Sequence, residues 1–130
     1  MALIGVDPGD IADIDVLVSG RDAEALMQAF ALPNQADGGT SHFRSDYFLV
    51  PPLGDVRVEI MAGYHIRSGD GWQRVTPASR QAVVVGTATL FVPGREEQIE
   101  LLERLGRKKD LARLGRFSTA ACPEDKRTQP

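Results

Sequence analysis

Asp13 and Asp15 stand two residues apart in the run Asp13-Ile-Asp-Val-Leu-Val18, and Glu59 stands between Val58 and Ile60. On an extended strand successive side chains alternate. Asp13 and Asp15 therefore share one face, while Ile14, Val16 and Val18 turn to the other, toward a core. Two carboxylates a few ångströms apart repel, and ionising both is costly unless a cation lies between them or one takes up a proton. A donor set made only of oxygens at this spacing suits Mg²⁺. Glu59 occupies a segment able to pair beside the first, and three acids facing one cleft can hold the two divalent ions of an in-line phosphoryl displacement. A plainer reading stands beside this one. Asp-x-Asp is common on solvated strands, and Glu59 has a same-face countercharge in Arg57.

Other side chains offer less. His65, near the end of the Glu59 strand, has the chemistry of a base or a phosphate ligand, but also that of an ordinary surface histidine. Arg107, Lys108 and Lys109 suit phosphates, or equally a solvated helix end. Ser19 and Ser45 lack a Gly-x-Ser-x-Gly elbow, and Cys122 shows no activating neighbour.

The elements that must position these groups follow from patterning. Ala2 to Val6 is apolar enough for a short strand, and Asp7-Pro8-Gly9-Asp10 is a turn. Asp13 to Val18 reads as a strand. Ser19 caps the helix after it, whose stripe is Ala23, Leu26, Met27 and Phe30. Phe43 to Val50 and Asp55 to Met61 read as strands of a hairpin closed by Pro51-Pro52-Leu53-Gly54, with Val56, Val58 and Ile60 on one face of the second. The stretch from Ala62 to Gln81 reads as irregular, with a turn at Gly69-Asp70-Gly71 and Trp72 as a packing anchor. Ala82 to Val85 and Ala88 to Val92 give further strand. A helix opens after Pro93-Gly94 with Ile99, Leu102 and Leu105 inward, and Gly106 stops it. Arg107 to Phe117 suits a last helix with Leu111, Leu114 and Phe117 inward. The expected class is α+β, a small mixed or antiparallel sheet flanked by helices. It forms one domain over residues 1–117, with a loose tail over 118–130.

Composition narrows the partners. The 130 residues carry a formal charge of −3, which disfavours broad nucleic-acid binding as a main role. A single cysteine rules out an intrachain disulfide and fits a reducing, cytoplasmic setting. No apolar run is long enough for a membrane span, and the N-terminus lacks a basic n-region.

The Asp13-Ile-Asp-Val-Leu-Val run, the helix after it and the hairpin ending in Val58-Glu59-Ile60 resemble the nucleotidyltransferase superfamily, the DNA polymerase beta-like fold. The likeness is to its minimal bacterial members and spans about residues 1–117. Gly106-Arg-Lys-Lys-Asp-Leu resembles their closing helices, in which a pair like Lys109-Asp110 is frequent. The resemblance implies Asp13, Asp15 and Glu59 as ligands of Mg²⁺ or Mn²⁺, with ATP or another NTP as substrate. A nucleoside monophosphate would pass to a hydroxyl on a small molecule, RNA or protein. Gly5, His65 and Lys109 are the candidates for holding the nucleotide. Active members grip the triphosphate with Gly-Ser or Gly-Gly at a helix start. Here only Ile4-Gly5-Val6 precedes the acids, as in an N-terminally truncated member lacking one helix. That departure weighs toward a second reading, a non-catalytic binding module that self-associates as a homodimer to cover the apolar surface left by the missing helix.

Overall fold

A computed structural model describes residues 1–119; the segment from 120 onward, with Cys122 and most of the expected tail, lies outside the described residues. The described residues form two compact units, one over Asp10–Thr76 and the other joining Met1–Gly9 to the described residues from Pro77 on.

The first unit holds β1 (Asp13–Leu17), α1 (Gly20–Phe30), β2 (Phe43–Arg44), β3 (Tyr47–Leu49), β4 (Arg57–Ala62), β5 (His65–Ser68) and β6 (Gly71–Arg74). One sheet has the order β1-β4-β3, with β1 parallel and β3 antiparallel to β4. The expected hairpin is present between β3 and β4, pairing Leu49 with Ile60 and Tyr47 with Ala62, but its first strand is split, and Phe43–Arg44 pairs with β5 instead. α1 starts where the sequence says it should: the Ser19 side chain accepts the Asp22 N–H at 3.1 Å. It packs through Ala23, Leu26 and Met27 against Leu32, Leu49, Ala62, Ile60 and Val18, and Ala23 and Leu49 are wholly buried. The Tyr47 hydroxyl donates to Glu24 Oε1 at 2.8 Å, tying β3 to the helix.

The second sheet, β2-β5-β6, is antiparallel. Its strands β5 and β6 occupy the stretch expected to be irregular. A tight turn at Gly69-Asp70, with Gly69 at φ 59°, closes the β5–β6 hairpin. Gly63, at φ 64°, makes the corner between β4 and β5, and a Cβ there would collide with the Asp46 carboxylate.

In the second unit, Ala2–Ile4 closes as a 3-10 turn rather than a strand. The Ile4 N–H bonds Met1 O, the Gly5 N–H bonds Ala2 O, and Gly5 takes φ 82°. β7 (Gln81–Val85) and β8 (Ala88–Val92) form a hairpin, followed by α2 (Arg95–Leu105) and α3 (Lys108–Thr119). Val6, Leu102 and Phe117 form the core here, with Ile99 and Leu114 against it. Glu97 accepts the backbone N–H groups of Ala78 and Ser79, and the Ser79 hydroxyl accepts the Gly94 N–H, which secures the segment before β7 to the start of α2. These bonds, the Ser79 side chain first, hold the Glu97 carboxyl below its ordinary value.

Several side chains expected to be inward are not. Ile14 is 48% exposed and Val16 37%, because β1 is a sheet edge and α1 lies over β3 and β4. Leu111 and Phe30 are also exposed. The chain leaves α1 through Ala31 in the left-handed region directly after Phe30.

Candidate functional site

The parallel pairing of β1 with β4 sets Asp13 opposite Arg57 and Asp15 opposite Glu59. Neighbouring strands lie about 4.8 Å apart and keep the same side-chain phase, so the register alone puts all four residues on one face. Each acid offers a carboxylate oxygen, and those of Asp13, Asp15 and Glu59 lie within 4.8 Å of one another. Asp13 and Glu59 are half-buried and Asp15 is exposed. Open on one side and built from hard oxygen donors, the group fits Mg²⁺ or Mn²⁺ better than softer metals.

Arg57 belongs to this cluster. Its Nε donates to Glu59 Oε1 at 2.9 Å, with the arginine side chain 53% and the glutamate 19% exposed. The guanidinium engages one oxygen of Glu59 and leaves the second oriented by that contact. The countercharge expected of a solvated acid and the gathering expected of a metal cluster are thus both present.

The other sequence candidates stand on other elements. His65 begins β5, and its Nδ1 lies 2.7 Å from Gly63 O. A carbonyl only accepts, so Nδ1 carries the proton of this bond. Gly5 and Lys109 belong to the other compact unit. The Gly5 N–H is engaged by Ala2 O. Lys109 is exposed on the first turn of α3. The residue beside it, Asp110, is buried to 1% and accepts from the Arg107 backbone N–H at 3.1 Å and from Arg107 Nε at 2.6 Å, closing the start of α3.

No helix among the described residues is long and apolar enough to cross a membrane. No family model matches the sequence, and no curated protein matches it significantly. Among solved structures, a "putative nucleotidyltransferase" from Thermotoga maritima superposes with a TM-score of 0.66, covering 91% of this chain and 76% of its own, at 22% identity. The chain has a nucleotidyltransferase-like fold.

Proposed function

We propose that the chain is a metal-dependent nucleotidyltransferase, which transfers a nucleoside monophosphate from ATP or another NTP to a hydroxyl acceptor. The observation that carries this reading is the cluster of three carboxylates, drawn from two parallel strands in register on this fold. Asp13, Asp15 and Glu59 would hold the divalent cation. When bound, it would supply charge neutralisation to the triphosphate. Glu59 would accept the proton of the acceptor hydroxyl as its oxygen bonds to the α-phosphorus and the bond to pyrophosphate breaks. Arg57 is a positioning residue, fixing the Glu59 carboxylate through the bond to Oε1. The acceptor would be a small molecule, an RNA or a protein.

The ion pair itself supports a second reading, in which Arg57 stands in for the cation and the fold serves as a non-catalytic module. A second copy of the chain would then cover Ile14 and Val16 on the open edge of β1. Calorimetry of Mn²⁺ and a nonhydrolysable ATP analogue, on the wild type and Asp13→Ala/Asp15→Ala, separates the two. Metal-dependent nucleotide binding lost in the variant is expected for the enzyme. Absence of binding at millimolar concentration, together with a dimeric mass in solution, would establish the module.

A further inference from the structure

The β2-β5-β6 sheet has two unlike faces. Pairing sets Arg44 against His65, His65 against Arg74, and Arg67 against Trp72. Alternation puts Arg44, His65, Arg67, Trp72 and Arg74 on one side, with Phe43, Ile66 and Gln73 on the other. On that second side Ile66 is buried to 2% and Phe43 is half-buried, while Gln73 is exposed. The first side is wet: Arg44, Arg67 and Arg74 are exposed, and His65 and Trp72 are half-buried. Its cross-strand positions include no acid. Asp70, the acid nearest in sequence to this hairpin, lies in its turn.

The region from residue 10 to residue 76 has five arginines and no lysine, and three of the five stand on this one face. Among the described residues none of these three lies in a salt bridge. Instead Arg44 and Arg67 lie over the Trp72 ring, with Cζ 4.7 Å and 5.4 Å from its centroid. An arginine stacked on an aromatic ring keeps its charge while its plane is held in place. Arg67 Nε also donates to Gly69 O at 3.1 Å. The face therefore offers two guanidinium planes steadied on Trp72, whose outer sides suit a stacked base and whose remaining N–H groups suit phosphate. An acidic peptide would answer the charge but has no use for the flat surface.

We propose that this face binds single-stranded nucleic acid, with Arg44, Arg67 and Arg74 on the phosphates and the Trp72–arginine stack against the bases. The interaction stands apart from the acid cluster and does not depend on nucleotidyl transfer.

Trp72 is the only tryptophan in the chain, so the site carries its own probe. Titrating the full-length chain with a 12-nucleotide oligouridylate should quench its fluorescence. Affinity should fall with salt with a log–log slope of about −2, the value for three phosphates on a single strand. Arg67→Ala/Arg74→Ala should weaken binding by roughly tenfold or more and flatten the slope to about −0.7. Arg67→Lys/Arg74→Lys keeps the charge without the planar fork; it should retain the slope while losing affinity and part of the quench. That pair carries the test if the alanine pair misfolds by circular dichroism. Asp13→Asn/Asp15→Asn should bind the oligonucleotide at least as tightly as the wild type. No quench at an oligonucleotide concentration of about 100 µM, the weak end of non-specific binding, would overturn the proposal. So would wild-type behaviour in both arginine variants, or equal binding of a polyglutamate of matched charge.

Discussion

Residues 10–76 carry two polar surfaces of opposite sign, each on its own sheet. On β1 and β4 three carboxylates offer oxygens within 4.8 Å of one another, and the Arg57 guanidinium is bonded to one of them, Glu59. On β2, β5 and β6 three arginines, a histidine and a tryptophan share one face, with no carboxylate at any paired position. Both are made the same way, by strand pairing that brings alternate residues of distant segments onto one face. They differ in what they require. The acids hold like charges close together, an arrangement that favours a bound cation. The arginines are spread over three strands, two of them steadied by stacking on Trp72, an arrangement that favours an extended anion. A unit that is acidic in sum can therefore still offer a local basic face, and net charge alone does not report it.

The largest effect that would sharpen this contrast comes from the ligands themselves. Asp13→Asn/Asp15→Asn should lower Mn²⁺ affinity by roughly 100-fold or more in calorimetry, since loss of supporting groups around ligands alone costs about 10–100-fold. If oligonucleotide binding fell in parallel, the two surfaces would not be independent. Leu49→Ala tests the support beneath the acids. The side chain is wholly buried under α1, and its truncation should cost about 2–5 kcal/mol in urea unfolding. A loss below that range would mean the core readily collapses onto the vacated space.

Arg57→Ala removes the cation bonded to Glu59 and should tighten Mn²⁺ binding by roughly 2–5-fold, the worth of an exposed ion pair of up to about 1 kcal/mol. Weaker binding would instead show that the arginine's positioning of Glu59 outweighs its competition. The smallest effect lies in the other unit and serves as a control. The depressed Glu97 carboxyl stabilises the fold while ionised, fully above its ordinary value of 4.5, and loses that contribution as pH falls through the folded-state value. Glu97→Gln should therefore have a slightly lower melting temperature than the wild type near neutrality. The gap should close in acid, with Mn²⁺ affinity unchanged.

The acid cluster was legible in the sequence because it depends on local facts. Asp13 and Asp15 share a strand phase, Glu59 lies mid-strand between aliphatics, and Pro51-Pro52-Leu53-Gly54 marks the hairpin before it. Ser19 and Gly106 punctuated the helices as their chemistry requires. The basic face was hidden for a physical reason. β5 and β6 are four residues each with one large apolar residue apiece, Ile66 and Trp72, so alternation of apolar with polar residues, the usual mark of a strand, is nearly absent there. The Gly69-Asp70 turn was visible, but not the strands on either side. Ala2–Val6 failed in the opposite sense: its apolar character suggested a strand, while Gly5 in the left-handed region closed a turn. Ile14 and Val16 followed strand phase as expected, yet no phase rule reveals which strand will be a sheet edge.

The parallel pairing of β1 and β4 also has a kinetic meaning. Parallel strands cannot be joined by a tight turn, and here the connection runs through α1, β2 and β3 before Glu59 can meet Asp15. Closing so long a loop is entropically costly and comes late relative to local hairpins and helices. During synthesis, Asp13 and Asp15 leave the ribosome more than forty residues ahead of their third companion. The nascent chain thus passes through a stage in which α1 can already be formed while the three-acid cluster does not yet exist. Acquisition of that cluster follows the formation of α1 rather than preceding it.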